Sequence, residues 1–159
     1  MDRKQRLVVI GAVAAGASAA AKAKRVNPDL EVILLERGQY ISYAACGLPY
    51  FIAGLVPSID SLIARSPTEF GQQGVEVRTR HEVLEIDAAN KSLRVADLDA
   101  AEVYALPYDY LVVATGAVSV RPPVPGLDLP GVFTLRTLSD GLALQEALKR
   151  KPKNAVIVG

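Results

Sequence analysis

The first 36 residues constrain this chain most. Leu7-Val8-Val9-Ile10 is a short unbroken apolar run, the pattern of a parallel strand buried on both faces. Gly11-Ala12-Val13-Ala14-Ala15-Gly16 follows, and then an alanine-rich stretch to Val26 that predicts a helix, stopped by Asn27-Pro28-Asp29. Glu31-Val32-Ile33-Leu34-Leu35 is a second apolar run, and it ends in Glu36. Strand, glycine turn, helix, strand and acid in this order and spacing predict a β-α-β unit that binds a dinucleotide. Gly11 lets the chain turn out of the strand, and Gly16 lets the helix lie close to the sheet. Free N–H groups at the helix start would receive a pyrophosphate. Glu36 suits a ribose 2′-hydroxyl and disfavours a 2′-phosphate. One position departs from the fingerprint: its middle glycine is Val13.

Shortly after this unit comes Ser42-Tyr43-Ala44-Ala45-Cys46-Gly47-Leu48-Pro49-Tyr50, which holds the only cysteine. Small residues before Cys46 let a flat ring approach the backbone, and Gly47-Leu48-Pro49 predicts a helix start whose dipole favours a thiolate. The residues alone leave two readings open, a redox thiol or a small buried hydrophobe. A dithiol centre spanning one helical turn would need a second cysteine at position 51, which is Phe51. A cycling Cys46 must therefore form a mixed disulfide with a small thiol, or a sulfenic acid.

The bulk composition narrows the class. At 159 residues there is room for one domain with a proper core; half the residues are apolar and only 6% aromatic, so that core is aliphatic. A net charge of +1 gives no reason to expect a nucleic-acid or membrane-surface partner. One cysteine rules out a disulfide framework and fits a reducing, cytoplasmic setting. Arg3-Lys4-Arg6 ahead of the apolar run to Ala21 imitates a signal peptide, but the division into a β-branched half and an alanine half is not one a signal peptide needs.

Further along, Ser66-Pro67-Thr68-Glu69 predicts a capped helix that Gly74 ends. A helix is also expected through Ile52 to Leu55. Runs at 75–78, 81–87, 92–96 and 102–106 predict an antiparallel meander over about 75–106. His81, the only histidine, reads as a strand-edge residue rather than an acid–base group. Val83 lies where a strand edge could meet an adenine. Tyr108 to Ala114 predicts another strand, ending in Thr115-Gly116, which suits either a close cofactor approach or an ordinary turn. Arg121-Pro122-Pro123-Val124-Pro125-Gly126 predicts a stiff linker, 132–136 a strand, and 137–149 a helix with Thr137 as cap and Asp140 at its third position. Lys149-Arg150-Lys151 complements that helix's C-terminal dipole. Asn154 to Gly159 parallels Arg6 to Gly11. The expected organisation is a Rossmann-like α/β domain over 1–150 with a parallel sheet and a β-meander, and at 151–159 the first strand of a truncated second unit.

With these pieces in order the sequence resembles the pyridine nucleotide-disulfide oxidoreductases, and within them the single-cysteine branch of coenzyme A disulfide reductases, NADH oxidases and NADH peroxidases. The resemblance rests on Val8 to Gly16, Glu36, Ser42 to Tyr50, Ala114-Thr115-Gly116 and Leu135 to Asp140. It implies FAD in the first unit and NAD(P)H in a second unit of the full-length protein, which it implies to be a homodimer. The implied cofactor-binding residues are Gly11, Val13, Ala14, Gly16, Glu36, Arg37, Val83, Thr115, Gly116 and Arg136, with Cys46 as the redox thiol facing the flavin. Peroxidases and many oxidases of this branch resemble Gly-x-x-His-Gly-Gly in the turn; here the histidine position is Ala14. Ser18, Lys22 and Arg25 fall on one helix face and resemble the basic stripe that binds coenzyme A phosphates, with Ser42 near the sulfur. The other reading of that stripe is a solvated helix face. Where that family often has Asn before the cysteine, this chain has Ala45. The expected function is the FAD-binding segment of an NAD(P)H-dependent coenzyme A disulfide reductase. An oxidase working through a Cys46 sulfenic acid, and an FAD-binding piece inactive by itself, are the alternatives.

Overall fold

The computed structural model describes residues 3–158. Among these residues are seven strands, β1 (Arg6–Ile10), β2 (Glu31–Glu36), β3 (Val75–Thr79), β4 (His81–Asp87), β5 (Ser92–Asp97), β6 (Glu102–Pro107) and β7 (Tyr110–Val113), and four α-helices, α1 (Ala15–Val26), α2 (Leu48–Ile52), α3 (Pro67–Gln72) and α4 (Leu138–Leu148). The chain divides into two compact units, one of Met1–Tyr43 with Ile63–Gly116, the other of Ala44–Leu62 with Ala117–Gly159.

The first unit is a three-layer α/β assembly. Its central sheet is parallel in the order β3-β2-β1-β7. Alternate residues of β1 and β2 feed two different cores, as the period of two in a strand demands. Leu7, Val9, Val32 and Leu34 face α1 and α3 and pack with Ala17, Ala20, Phe70 and Val75. Val8, Ile10, Ile33 and Leu35 face the other way, onto Leu93, Val95, Leu106 and Tyr108 of the antiparallel sheet β4-β5-β6 and the chain after it. Both faces are covered, which explains the unbroken apolar runs at 7–10 and 32–35.

The β-α-β unit, the capped helix at 67–72 and the strands at 81–87, 92–97 and 102–107 form as the sequence predicts. Four details differ. β3 is not part of the meander; it pairs parallel with β2 from Val32↔Val75 to Glu36↔Thr79, because its alternating Val75 and Val77 complete the core under α1. The meander is accordingly His81–Pro107. α2 stops at Ile52 instead of Leu55, and Gly54 follows in the left-handed region (φ 76°). Residues 132–136 form no strand, and Val132, Phe133 and Leu135 stay exposed. The strand expected over 151–159 is likewise not formed in its described part, where Val156, Ile157 and Val158 are exposed without a pairing strand; Gly159 lies outside the described residues. A strand persists only where another strand satisfies its backbone groups, and none does so here.

In the second unit α2 packs on α4. Leu48, Phe51, Leu62 and Leu138 are buried there, and Gly141 makes room for Leu48, whose Cδ2 would lie 2.9 Å from a Cβ at that position. Gln145 Nε2 donates to the Phe51 carbonyl at 3.3 Å. α4 begins with a reciprocal cap: Asp140 N–H donates to the Thr137 hydroxyl (3.2 Å), and Thr137 N–H to the Asp140 carboxylate (2.7 Å).

α3 opens with the same device from Ser66 and Glu69. The backbone N–H and hydroxyl of Ser66 hold the Glu69 carboxyl below the ordinary carboxylate range. A carboxyl depressed in the folded protein contributes its stability above the unfolded value and loses it as pH falls through the lowered one. Glu69→Gln should therefore lower stability at neutral pH, and the difference from wild type should shrink in urea titrations repeated at progressively acidic pH. A difference that does not change with pH would show that the Glu69 charge contributes nothing to the cap.

Candidate functional site

The parallel register sets the site. Ile10 is opposite both Leu35 and Val113, so the carboxyl ends of β1, β2 and β7 finish level. Gly11, Glu36 and the Ala114-Thr115-Gly116 segment thus emerge at one edge of the sheet, where ligands of doubly wound folds bind. Gly11 N–H donates to the Leu35 carbonyl at 2.8 Å and Ala114 N–H to the Ile10 carbonyl at 2.8 Å, which fixes the turn between its neighbours.

Two glycines have no substitute. Gly11 has φ 95°, and a Cβ on it would lie 2.3 Å from the Ala114 carbonyl oxygen and 3.3 Å from Thr115 Cα. A Cβ on Gly16 would lie 1.7 Å from the Gly11 carbonyl oxygen and 3.1 Å from Val9 Cγ1. Helix, turn and the 114–116 segment are in backbone contact, so Thr115 and Gly116, both exposed and the latter at φ 69°, border the turn.

The start of α1 differs from the starts of α3 and α4. No side chain caps it, and its first turn carries no acid. Val13, Ala14 and Ala15 there are half-buried or exposed. Bare N–H groups at the head of a 12-residue helix attract an anion. The cradle that only glycine fits and the uncapped helix together suit a dinucleotide pyrophosphate. Val13 in place of the middle glycine does not obstruct the turn.

Glu36 does more than the sequence reveals. One carboxylate oxygen accepts from Ala12 N–H at 2.9 Å, the other from Gly38 N–H at 2.8 Å. A carboxylate has about four acceptor positions, so capacity remains for ribose hydroxyls. Arg37, largely exposed, forms an ion pair with Glu82 of β4 at 3.5 Å. Val83 lies on the edge strand of the three-stranded sheet, half-buried against the Val8 core, next to a register shift that leaves Leu84 without a partner.

Ser42 occupies the left-handed region (φ 46°), unusual for a residue with a side chain. Its N–H donates to the Ala12 carbonyl at 2.7 Å, and its carbonyl accepts from Ala64 N–H at 2.7 Å. Ser42 is thereby tied to the turn and to Ala64 within the first unit. Nothing in the sequence signals this bond, because it runs through backbone atoms. Along α1, Ser18, Lys22 and Arg25 are exposed on one face while Ala17 and Ala20 are buried. Lys24 is spent on the Pro28 and Leu30 carbonyls, both at 2.7 Å. Lys22 and Arg25 form no ion pair or side-chain hydrogen bond among the described residues and remain available to a ligand.

In the second unit Cys46 lies in a 3₁₀ turn, Ala45–Gly47, that leads into α2. Gly47 N–H closes onto the Ala44 carbonyl at 2.9 Å, and Ala44 N–H is anchored to the Leu62 carbonyl at 2.8 Å. Gly47 is held against Leu62, whose Cδ2 would lie 2.5 Å from a Cβ there. The thiol is exposed, which removes the buried-hydrophobe reading. α2 has only five residues, so its dipole is weaker than the sequence suggests. Arg136, also exposed, precedes α4, and its N–H donates to the Asp140 carboxylate at 2.9 Å. Among the described residues no cluster of His, Cys, Asp and Glu could hold a metal, and no helix is long and apolar enough to cross a membrane.

The model of the pyridine nucleotide-disulphide oxidoreductase family matches residues 5–159. The chain belongs to that family. It is 34% identical over 156 residues to an NADH oxidase of Methanocaldococcus jannaschii, covering 97% of this chain and 35% of that protein. It is 37% identical to a CoA-dependent NAD(P)H sulfur oxidoreductase of Pyrococcus abyssi (98% and 34%) and 31% identical to a coenzyme A disulfide reductase of Staphylococcus haemolyticus (98% and 35%). The crystal structure of reduced Bacillus anthracis CoADR-RHD superposes with a TM-score of 0.89 at 32% identity, over 94% of this chain and 27% of that one. The chain spans about a third of the length of the relatives it matches.

Two measurements check this site. Gly16→Ala should destabilise the protein by about 3 kcal/mol or more, since its Cβ has only backbone to displace; a denaturation midpoint like that of wild type would show that α1 can move off the turn. Cys46 should react stoichiometrically with a thiol reagent in the native protein, and a requirement for denaturant would contradict its exposure.

Proposed function

We propose that this chain is the FAD-binding segment of a flavoprotein that uses NAD(P)H to reduce coenzyme A disulfide through Cys46. One observation carries the reading. The lone thiol stands exposed on a braced turn, in a chain whose glycine turn is shaped for a dinucleotide and whose first helix carries two cations without a partner among the described residues. Gly11, Val13, Ala14 and Gly16 would hold the pyrophosphate, Glu36 and Arg37 the adenosine, and Thr115, Gly116, Val83 and Arg136 the remainder. Bound FAD would supply the electron pair that NAD(P)H donates and that the Cys46 disulfide accepts.

The chemistry left to this chain is thiol–disulfide exchange. The Cys46 thiolate attacks one sulfur of coenzyme A disulfide, the S–S bond breaks, and one coenzyme A leaves as thiolate. Two electrons and a proton then cleave the Cys46–coenzyme A disulfide and release the second coenzyme A. With no second cysteine, the chain cannot resolve the mixed disulfide internally. Lys22 and Arg25 would bind the phosphates of coenzyme A, with Ser18 on the same face and Ser42 nearer the sulfur.

The second reading, an oxidase that reduces oxygen through a Cys46 sulfenic acid, draws on the likeness to the archaeal NADH oxidase. Ala14 weakens it, because the turn carries no acid to assist O–O cleavage. A third reading, an FAD-binding piece without turnover, describes residues 1–159 acting alone. Residues 151–159 are read as opening the NAD(P)H-binding part of a homodimeric, cytoplasmic enzyme.

The full-length enzyme should release two thiols per NAD(P)H from coenzyme A disulfide, and Cys46→Ser should abolish that release. Equal consumption of NAD(P)H with oxygen and no disulfide, or with a coenzyme A persulfide in preference to the disulfide, would move the assignment. Lys22→Glu with Arg25→Glu should raise KM for coenzyme A disulfide about tenfold or more, the loss of roughly one charge-assisted phosphate bond. kcat should change little. An unchanged KM would return the stripe to a solvated helix face.

A further inference from the structure

Glu36 is the acid expected to meet the adenosine ribose, yet both of its oxygens are engaged within the protein itself. Oε2 accepts from Ala12 N–H at 2.9 Å and Oε1 from Gly38 N–H at 2.8 Å. Ala12 is fully buried, and its carbonyl accepts from Ser42 N–H at 2.7 Å. The backbone of Ala12 is therefore held at both its N–H and its carbonyl, by the acid at the end of β2 and by Ser42. Gly11 N–H is held by Leu35, the residue before Glu36. Charge-assisted bonds of this kind are stronger than neutral ones. A turn held from two directions does not have to be ordered by the ligand when it arrives.

We propose that Glu36 is a positioning residue as well as a ribose ligand: its carboxylate holds the glycine turn, and through Ala12 the Ser42 backbone, in the receiving conformation before any cofactor binds. This rests on the reading that the turn binds FAD. Gln at position 36 keeps the size but can offer its one carbonyl oxygen to only one of the two N–H groups, and its amide presents hydrogens to the other.

Two readouts test the proposal with Glu36→Gln. In the cofactor-free protein, amide exchange at whichever of Ala12 and Gly38 loses its acceptor should accelerate about tenfold to a hundredfold, as expected for losing a bond to a charged acceptor, while Val9 and Leu34 in the sheet interior keep their wild-type rates. Unchanged rates at Ala12 and Gly38 would overturn the proposal. So would an acceleration spread equally over Val9 and Leu34, which would make Glu36 a general stabiliser. The second readout is affinity for FAD and for an FAD analogue lacking both adenosine ribose hydroxyls. If Glu36 positions the turn, the variant should bind the analogue more weakly than wild type does, with part of its deficit for FAD retained. If it serves the ribose alone, the deficit should vanish with the hydroxyls, and the proposal fails. Wild type that binds neither ligand would instead remove the FAD reading, while the exchange result would still decide the clamp.

Discussion

The backbone contact between the start of α1 and the glycine turn is the constraint on which the first unit depends. With a carbonyl oxygen where a Gly16 Cβ would sit, helix and turn meet as bare main chain. That approach lays α1 on β1 and β2 and lets Ala17 and Ala20 enter the core. It also leaves the helix's first N–H groups without a side-chain cap. Elsewhere the protein caps its helices with care, at Ser66–Glu69 and at Thr137–Asp140. The five-residue α2 also lacks a side-chain cap, but the uncapped start of α1 heads a 12-residue helix and lies where backbone meets backbone at the turn. An unmet need of the fold and a binding capacity are here the same feature.

On the proposed reading, cofactor binding and thiol chemistry fall to different parts of the chain. The dinucleotide elements come from strand ends and a turn in one unit, held by parallel registers that finish level. The thiol comes from a short 3₁₀ turn in the other, braced by α2 packing on α4 and by Leu62. Ser42 is held at φ 46° by backbone bonds to Ala12 and Ala64. Strain at such a position is tolerated where the surroundings hold it from both directions.

Much of this was legible in the sequence because it depends on side-chain periodicity. Unbroken apolar runs gave β1 and β2, small residues gave α1, and Ser66 and Thr137 with their acids gave two caps. β3 pairs with β2 and not with the meander because alternation in a five-residue strand says nothing about its partner; the core beneath α1 decides that. The segments at 132–136 and 154–158 are apolar enough for strands, but strands form only by pairing. At the site, Gly11, Gly16 and Glu36 could be named from spacing alone. The grip of Glu36 on Ala12 and Gly38 could not, nor could the Ser42–Ala12 bond, because backbone partners leave no mark on residue identity. The exposure of Cys46 was equally hidden, since a lone cysteine reads the same whether buried or free.

In the proposed reaction a single sulfur, lacking any partner in this chain, exchanges electrons with a bound flavin. The most direct measurement is the visible spectrum of the full-length protein loaded with FAD, with wild-type Cys46 first held as its mixed disulfide with coenzyme A and then given the two electrons that cleave it. The account predicts a long-wavelength charge-transfer absorbance from the Cys46 thiolate against oxidised flavin, present in wild type and absent in Cys46→Ser. The same absorbance in both proteins, or in neither, would contradict it.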